Sequence, residues 1–179
     1  MPTPYHTAVP QTDARVVTSL AGACVEGSPM FELMQFLHIL GVAAWFGANL
    51  VRAFARGPMT GVDDGVAAAW HRVTVSMGRV IHTPAAIVVF VSGFGLVGLA
   101  DGAYSMTDPF VVVGILAVVI GAVLAMTVIG PNGRRIAAAY ERADHEQAAA
   151  MSRRSSLVGW VDTAVLAFAI LVMVTRWGA

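Results

Sequence analysis

Residues 29–52 read Pro-Met-Phe-Glu-Leu-Met-Gln-Phe-Leu-His-Ile-Leu-Gly-Val-Ala-Ala-Trp-Phe-Gly-Ala-Asn-Leu-Val-Arg. The run is long and apolar enough to cross a bilayer, which takes roughly 20 residues at ~1.5 Å of rise each. It nevertheless carries Gln35, His38, Trp45, Asn49 and Arg52, at successive spacings of three, seven, four and three. In a helix those spacings share one face, while Phe36, Leu37, Leu40 and Val51 cover the rest. Such a polar stripe cannot face lipid and must turn toward other helices or a cavity. The stretch therefore predicts a polytopic membrane protein with a polar seam.

Composition agrees. The chain of 179 residues is 57% hydrophobic and 12% charged, with a mean hydropathy of +0.71; soluble domains carry about 25% charged residues. A formal net charge of zero gives no electrostatic footprint for nucleic acid, and none is expected as a partner. The single cysteine, Cys24, excludes an internal disulfide and a CxxC metal site.

The expected fold is all-α: an antiparallel four-helix transmembrane bundle with amphipathic cytoplasmic connecting helices. Residues 1–27 hold one short apolar run and no basic residue before Arg15. They are read as an uncleaved, non-cytoplasmic arm, because a secretory signal starts with a basic region. The four-span domain is residues 28–179, with spans at about 29–54, 81–100, 109–130 and 157–177. Ser28 and Pro29 suit the start of span 1, and Gly57-Pro58 its end. Asp63-Asp64-Gly65 caps an amphipathic lead-in to span 2, Val66 to Val80. Gly130-Pro131-Asn132-Gly133 is expected to break the chain after span 3. An Ala-rich charged helix, 134–154, should follow, with Ile136, Tyr140, Ala143 and Met151 toward the membrane surface. Spans 2 and 3 offer small residues for close packing: Ser92, Gly93, Gly95 and Gly98, then Gly114, Ala117, Gly121 and Ala125.

Arginine sets the expected orientation. Arg52, Arg56, Arg72 and Arg79 follow span 1, and Arg134, Arg135, Arg142, Arg153 and Arg154 follow span 3. The loop between spans 2 and 3 has none. Both termini should lie outside a bacterial inner membrane, with both basic loops in the cytoplasm.

Chemistry centres on His38, an intramembrane histidine suited to haem iron, copper or a proton relay, or else hydrogen-bonded inside the bundle. Met30, Met34 and His38 recur every four residues, so two thioethers and an imidazole share a face, a set that soft copper favours. His82 is not a second ligand to the same iron, since fourteen residues of helix separate His38 from Arg52, where span 2 begins; the rise is roughly 20 Å. An interfacial or capping role suits His82, and solvated positions suit His6, His71 and His145. Asp162, the one acid within span 4, is expected to pair with Arg52 or Arg79 and close the inner end, in a structural polar cluster with Asn49 and His82, rather than to relay protons. Hydrolase and kinase readings fail for want of a Ser/His/Asp grouping, a phosphate loop or paired carboxylates.

Two stretches carry a resemblance. His38-Ile-Leu-Gly-Val-Ala-Ala-Trp45-Phe-Gly, and Thr83-Pro84-Ala85 with Gly93 nine residues beyond the proline, resemble the HemJ-type and copper-resistance-D-type bacterial membrane proteins and the four-span proteins grouped near them. Span 3 ending in Gly130-Pro131 followed by Arg134-Arg135 is similar too. The resemblance implies haem b at His38, with Trp45 and Met34 close by, or copper. It does not extend to an oxidase activity: no histidine stands at Thr127-Val128-Ile129, and the stretch before span 4 is reduced to Trp160-Val-Asp162-Thr163. The functional expectation is a haem-, porphyrin- or copper-binding membrane protein in a redox-linked role. The alternatives are an accessory or structural subunit of a larger membrane complex, with a complex partner or a homo-oligomer, and a small transporter.

Overall fold

The structure, a computed structural model, describes residues 28–55 and 61–178. The arm with His6 and Cys24, and the Gly57-Pro58 stop of the first span, lie outside the described residues. Helix α1 is Pro29–Phe54, and the Ser28 hydroxyl caps it by accepting from the Phe31 N–H at 3.2 Å. Helix α2 (Asp64–Met77) opens on Asp63, whose carboxylate accepts from the Gly65 N–H. Then come α3 (Thr83–Gly98), α4 (Pro109–Leu124), α5 (Gly130–Glu141) and α6 (His145–Val174). No strand occurs among the described residues.

The helices join into longer rods than the sequence suggests. A π-turn at Gly78–His82 links α2 to α3, giving a continuous helix of 35 residues, and another at Ala125–Ile129 links α4 to α5, giving 33. Each π-turn sits immediately before a proline pair, Thr83-Pro84 or Gly130-Pro131. A proline ring clashes with the carbonyl four residues back and cannot bond to it. Widening the helix by one residue moves that carbonyl aside, and the residue before each proline bonds five back, Thr83 N–H to Gly78 and Gly130 N–H to Ala125. The expected break at Gly130–Gly133 is therefore absent.

The connecting helix expected at 134–154 is also different. It is two helices folded on each other: α5 ends at Glu141, Ala143 takes a left-handed φ of 56°, and Asp144 caps α6. Ile136, Tyr140 and Met151 turn toward the seam between these two helices. Ile136 is buried with Ala139 and Ala148, and Tyr140 and Met151 pack around them, because two Ala-rich faces bury one another better than either is buried at an interface.

Among the described residues, four helical rods are long and apolar enough to span a membrane, with mean hydropathies of 1.4, 2.0, 2.9 and 2.3. At 35 residues the second is about 52 Å long, roughly 20 Å more than the hydrocarbon core needs. The excess on this rod and its two successors is a helical head, made by α2, α5 and the first turns of α6. In the spanning part, α1 lies along α3 and α4 along α6, and α1 also meets α6. Gly41 permits the α1–α3 approach: a Cβ there would lie 2.8 Å from Val89 Cγ2 and 3.2 Å from the Ala85 carbonyl. Helices α3 and α4 touch far less, leaving room between the two pairs. Phe36, Leu40, Ile87, Val91, Leu116 and Leu171 point outward, as lipid-facing residues do.

Candidate functional site

His38 faces α3. Its Nδ1 lies 3.1 Å from the Val89 carbonyl and 3.2 Å from Ser92 Oγ. A carbonyl can only accept, so Nδ1 carries the hydrogen. The Ser92 hydroxyl donates back to the Val88 carbonyl and turns a lone pair to the ring. In the neutral imidazole Nε2 is then left with its lone pair, and it has no hydrogen-bond partner among the described residues. Gly93 makes the approach possible, since a Cβ there would stand 3.3 Å from His38 Cε1.

The histidine lines a cavity of about 670 Å³ between the two helix pairs. Phe31 and Ile39 come from α1, Phe90 and Phe94 from α3, Phe110 and Val118 from α4. At the end away from the head, Tyr104 and Arg176 meet, the guanidinium 5.4 Å from the ring centroid. Met173 also reaches the cavity, and its methyl occupies the place where a Gly114 Cβ would stand. Size, apolar walls and a few polar groups match small-ligand sites, which run about 300–1,000 Å³.

Toward the head the seam changes character. Trp45 is buried against Ala85 and Leu166, with its six-membered ring over Gly121. Beyond it, Asn49 Nδ2 donates to Asp162 Oδ2 at 2.8 Å, and Asn49 Oδ1 accepts from Arg52 at 2.7 Å and from His82 Nε2 at 3.0 Å. The cation and the carboxylate fix which way the amide points. His82 Nδ1 lies 3.3 Å from the Met77 carbonyl at the mouth of the first π-turn. Asn49, His82 and Asp162 are all buried. The cluster thus links α1, the π-turn and α6 through one asparagine.

Of the candidate residues, the structure brings Asn49, Arg52, His82 and Asp162 together and leaves Arg79 exposed on the π-turn. His82 is buried in the bundle, not placed at an interface. His38 stands eleven residues from Asn49 on α1, about 16 Å along the axis. Trp45 and Met34 are not among the cavity's walls: Trp45 lies below it, and Met34 lies over Gly95, whose Cβ would be 2.9 Å from Sδ. Met30 is 52% exposed, so the two thioethers and the imidazole do not converge. His71 stacks on Tyr140, and His145 lies 3.6 Å from Asp64 on the head surface. Sequence reasoning missed Val89 as the partner of His38, Gly41 as the contact that brings α3 close, and the wall residues Tyr104 and Phe110. Only the glycine spacing on facing spans hinted at them.

Fold and seam define a polytopic helical membrane protein with an intramembrane histidine cavity. Residues 32–177 match the model of a family described as predicted integral membrane proteins, DUF2269, and the chain belongs to that family. Neither curated proteins nor solved structures gave a match.

Proposed function

We propose that the protein holds a haem b or related porphyrin in the His38 cavity, within a bacterial inner membrane and with both termini outside, in a redox-linked role. The observation that carries the reading is the state of His38: Nδ1 is committed to the Val89 carbonyl while Nε2 has no partner among the described residues, on the wall of an apolar cavity. Ligating histidines characteristically give their other N–H to a carbonyl or carboxylate, which fixes the tautomer and orients the ring. The remaining residues fit the group. Met173 is a thioether donor on the opposite helix pair, and Arg176 and Tyr104 suit carboxylate side groups at the mouth. A bound haem would supply one-electron chemistry. The chain's own part is to orient the imidazole through Val89 and Ser92 and to exclude water with the phenylalanine walls.

Copper is less well supported, because Met30 and Met34 do not reach the cavity. The orientation rests on the arginine distribution. In a Cys24→Ser background, Tyr104→Cys should label from outside the cell, whereas Thr60→Cys and His145→Cys should not; the reverse pattern overturns the orientation. An absorption spectrum of the protein as purified tests the ligand. A Soret band that disappears in a folded His38→Ala variant supports the proposal. A colourless wild type that takes up no added haem favours the accessory-subunit reading, with a membrane complex or second copy as partner.

A further inference from the structure

A second cavity, of about 310 Å³, lies where the bundle meets the head, walled by the end of α1, by α2, by α5 and by the middle of α6. Its chemistry is the opposite of the His38 cavity. Arg52, Arg153 and His71 line it together with Ser152, Ser155 and Ser156, and no Asp or Glu is among its lining residues. The α6 segment Ser152-Arg153-Arg154-Ser155-Ser156 places its hydroxyls at i, i+3 and i+4, on one face. Ser155 Oγ is buried and is the one such side-chain atom without a hydrogen-bond partner among the described residues. Unpaired buried polar atoms are rare in native structures and call for an explanation. Arg153 makes no ion pair among the described residues, although Arg72 pairs with Glu141 nearby in the head.

We propose that this cavity binds the oxyanion of a phosphate group. Guanidinium forks and serine hydroxyls match the tetrahedral acceptor geometry of phosphate, and a wall without carboxylates removes the main competitor for them. Two sources share that chemistry: the headgroup phosphate of an anionic lipid, and free phosphate or a soluble phosphomonoester. Trp70 and Trp160 flank the cavity, and basic pockets among helices at the membrane boundary are known places for anionic headgroups. The inference is independent of what His38 holds.

The experiment uses the full-length protein, freed of co-purified lipid and reconstituted in phosphatidylcholine nanodiscs. Tryptophan fluorescence and thermal midpoint are read against added inorganic phosphate, and in parallel nanodiscs containing phosphatidylglycerol. Arg153→Gln and Ser155→Ala are the variants; both side chains can be lost without emptying the core, and Ser155→Ala removes an unpaired hydroxyl. If either probe raises the midpoint and Arg153→Gln weakens that binding at least tenfold, with Ser155→Ala weakening it while leaving the ligand-free midpoint unchanged or higher, the site is established. A response to phosphate assigns a soluble ligand, and a response to phosphatidylglycerol alone assigns a lipid. Failure of both probes, or responses that both variants leave unchanged, overturns the proposal.

Discussion

The two halves of the seam on α1 hold their histidines in opposite ways. His38, on the wall of a cavity, uses one nitrogen on the backbone of α3 and has no hydrogen-bond partner for the other among the described residues. His82 has both nitrogens beside acceptors, the Asn49 amide oxygen and the Met77 carbonyl, inside a closed cluster. A buried group held on both sides by its neighbours is a fastener, and one with a ring nitrogen left without a partner on a cavity wall is a candidate binding group. Trp45 separates the two. The same amino acid, in the same membrane, is thus latch in one half and candidate ligand in the other.

The comparison breaks first at Asn49. Asn49→Ala strips Asp162, Arg52 and His82 of their common partner and leaves a buried carboxylate unpaired, so the loss of stability should be about 3 kcal/mol. Thermal or denaturant unfolding in detergent checks this. Asp162→Asn should cost less, since an amide oxygen still accepts from Asn49 Nδ2. Equal losses would mean that the charge, and not the shape, holds the cluster together.

Next comes the divider. A Cβ on Gly121 would overlap the Trp45 ring and stand 3.1 Å from Asp162 Oδ1. Gly121→Ala should cost roughly 1–3 kcal/mol, the usual range for overpacking, and should disturb both halves. An unchanged unfolding midpoint would show that α1 and α4 are not in close contact there.

His38→Ala should be mild by comparison, about 1 kcal/mol for the lost hydrogen bond, while removing ligand binding. A loss as large as that of Asn49→Ala would make His38 a second fastener. The smallest effect distinguishes two neighbouring glycines. Gly93→Ala presses on the imidazole and Gly95→Ala on the flexible end of Met34. Both should change stability by under about 1 kcal/mol, but only Gly93→Ala should shift an absorption band associated with His38.

Much of this architecture was legible in the residues. The helical spacing of Gln35, His38, Trp45, Asn49 and Arg52 states the seam, and hydropathy gives four spans. The polar cluster followed in part: Asp162, isolated in an apolar span, had to find a partner, but Asn49 as the hub was not readable because spacing on one helix says nothing about the rotation of its neighbours. The proline motifs misled. Gly-Pro reads as a break, and a π-turn that lets a helix pass through a proline has no strong local signal. The head was missed for a related reason, since an amphipathic Ala-rich helix looks the same whether it covers lipid or another helix. The cavity needed the weak α3–α4 contact, a property of packing that no single segment carries.

The central claim is that the His38 half binds and the Asn49 half fastens. Haem titrated into wild type, His38→Ala and Asp162→Asn, each in detergent and each shown to be folded, tests this most directly. The account predicts a Soret band that saturates at one haem per chain in wild type and in Asp162→Asn, and no such band in His38→Ala. Haem binding that survives in His38→Ala, or that is lost only in Asp162→Asn, would contradict it.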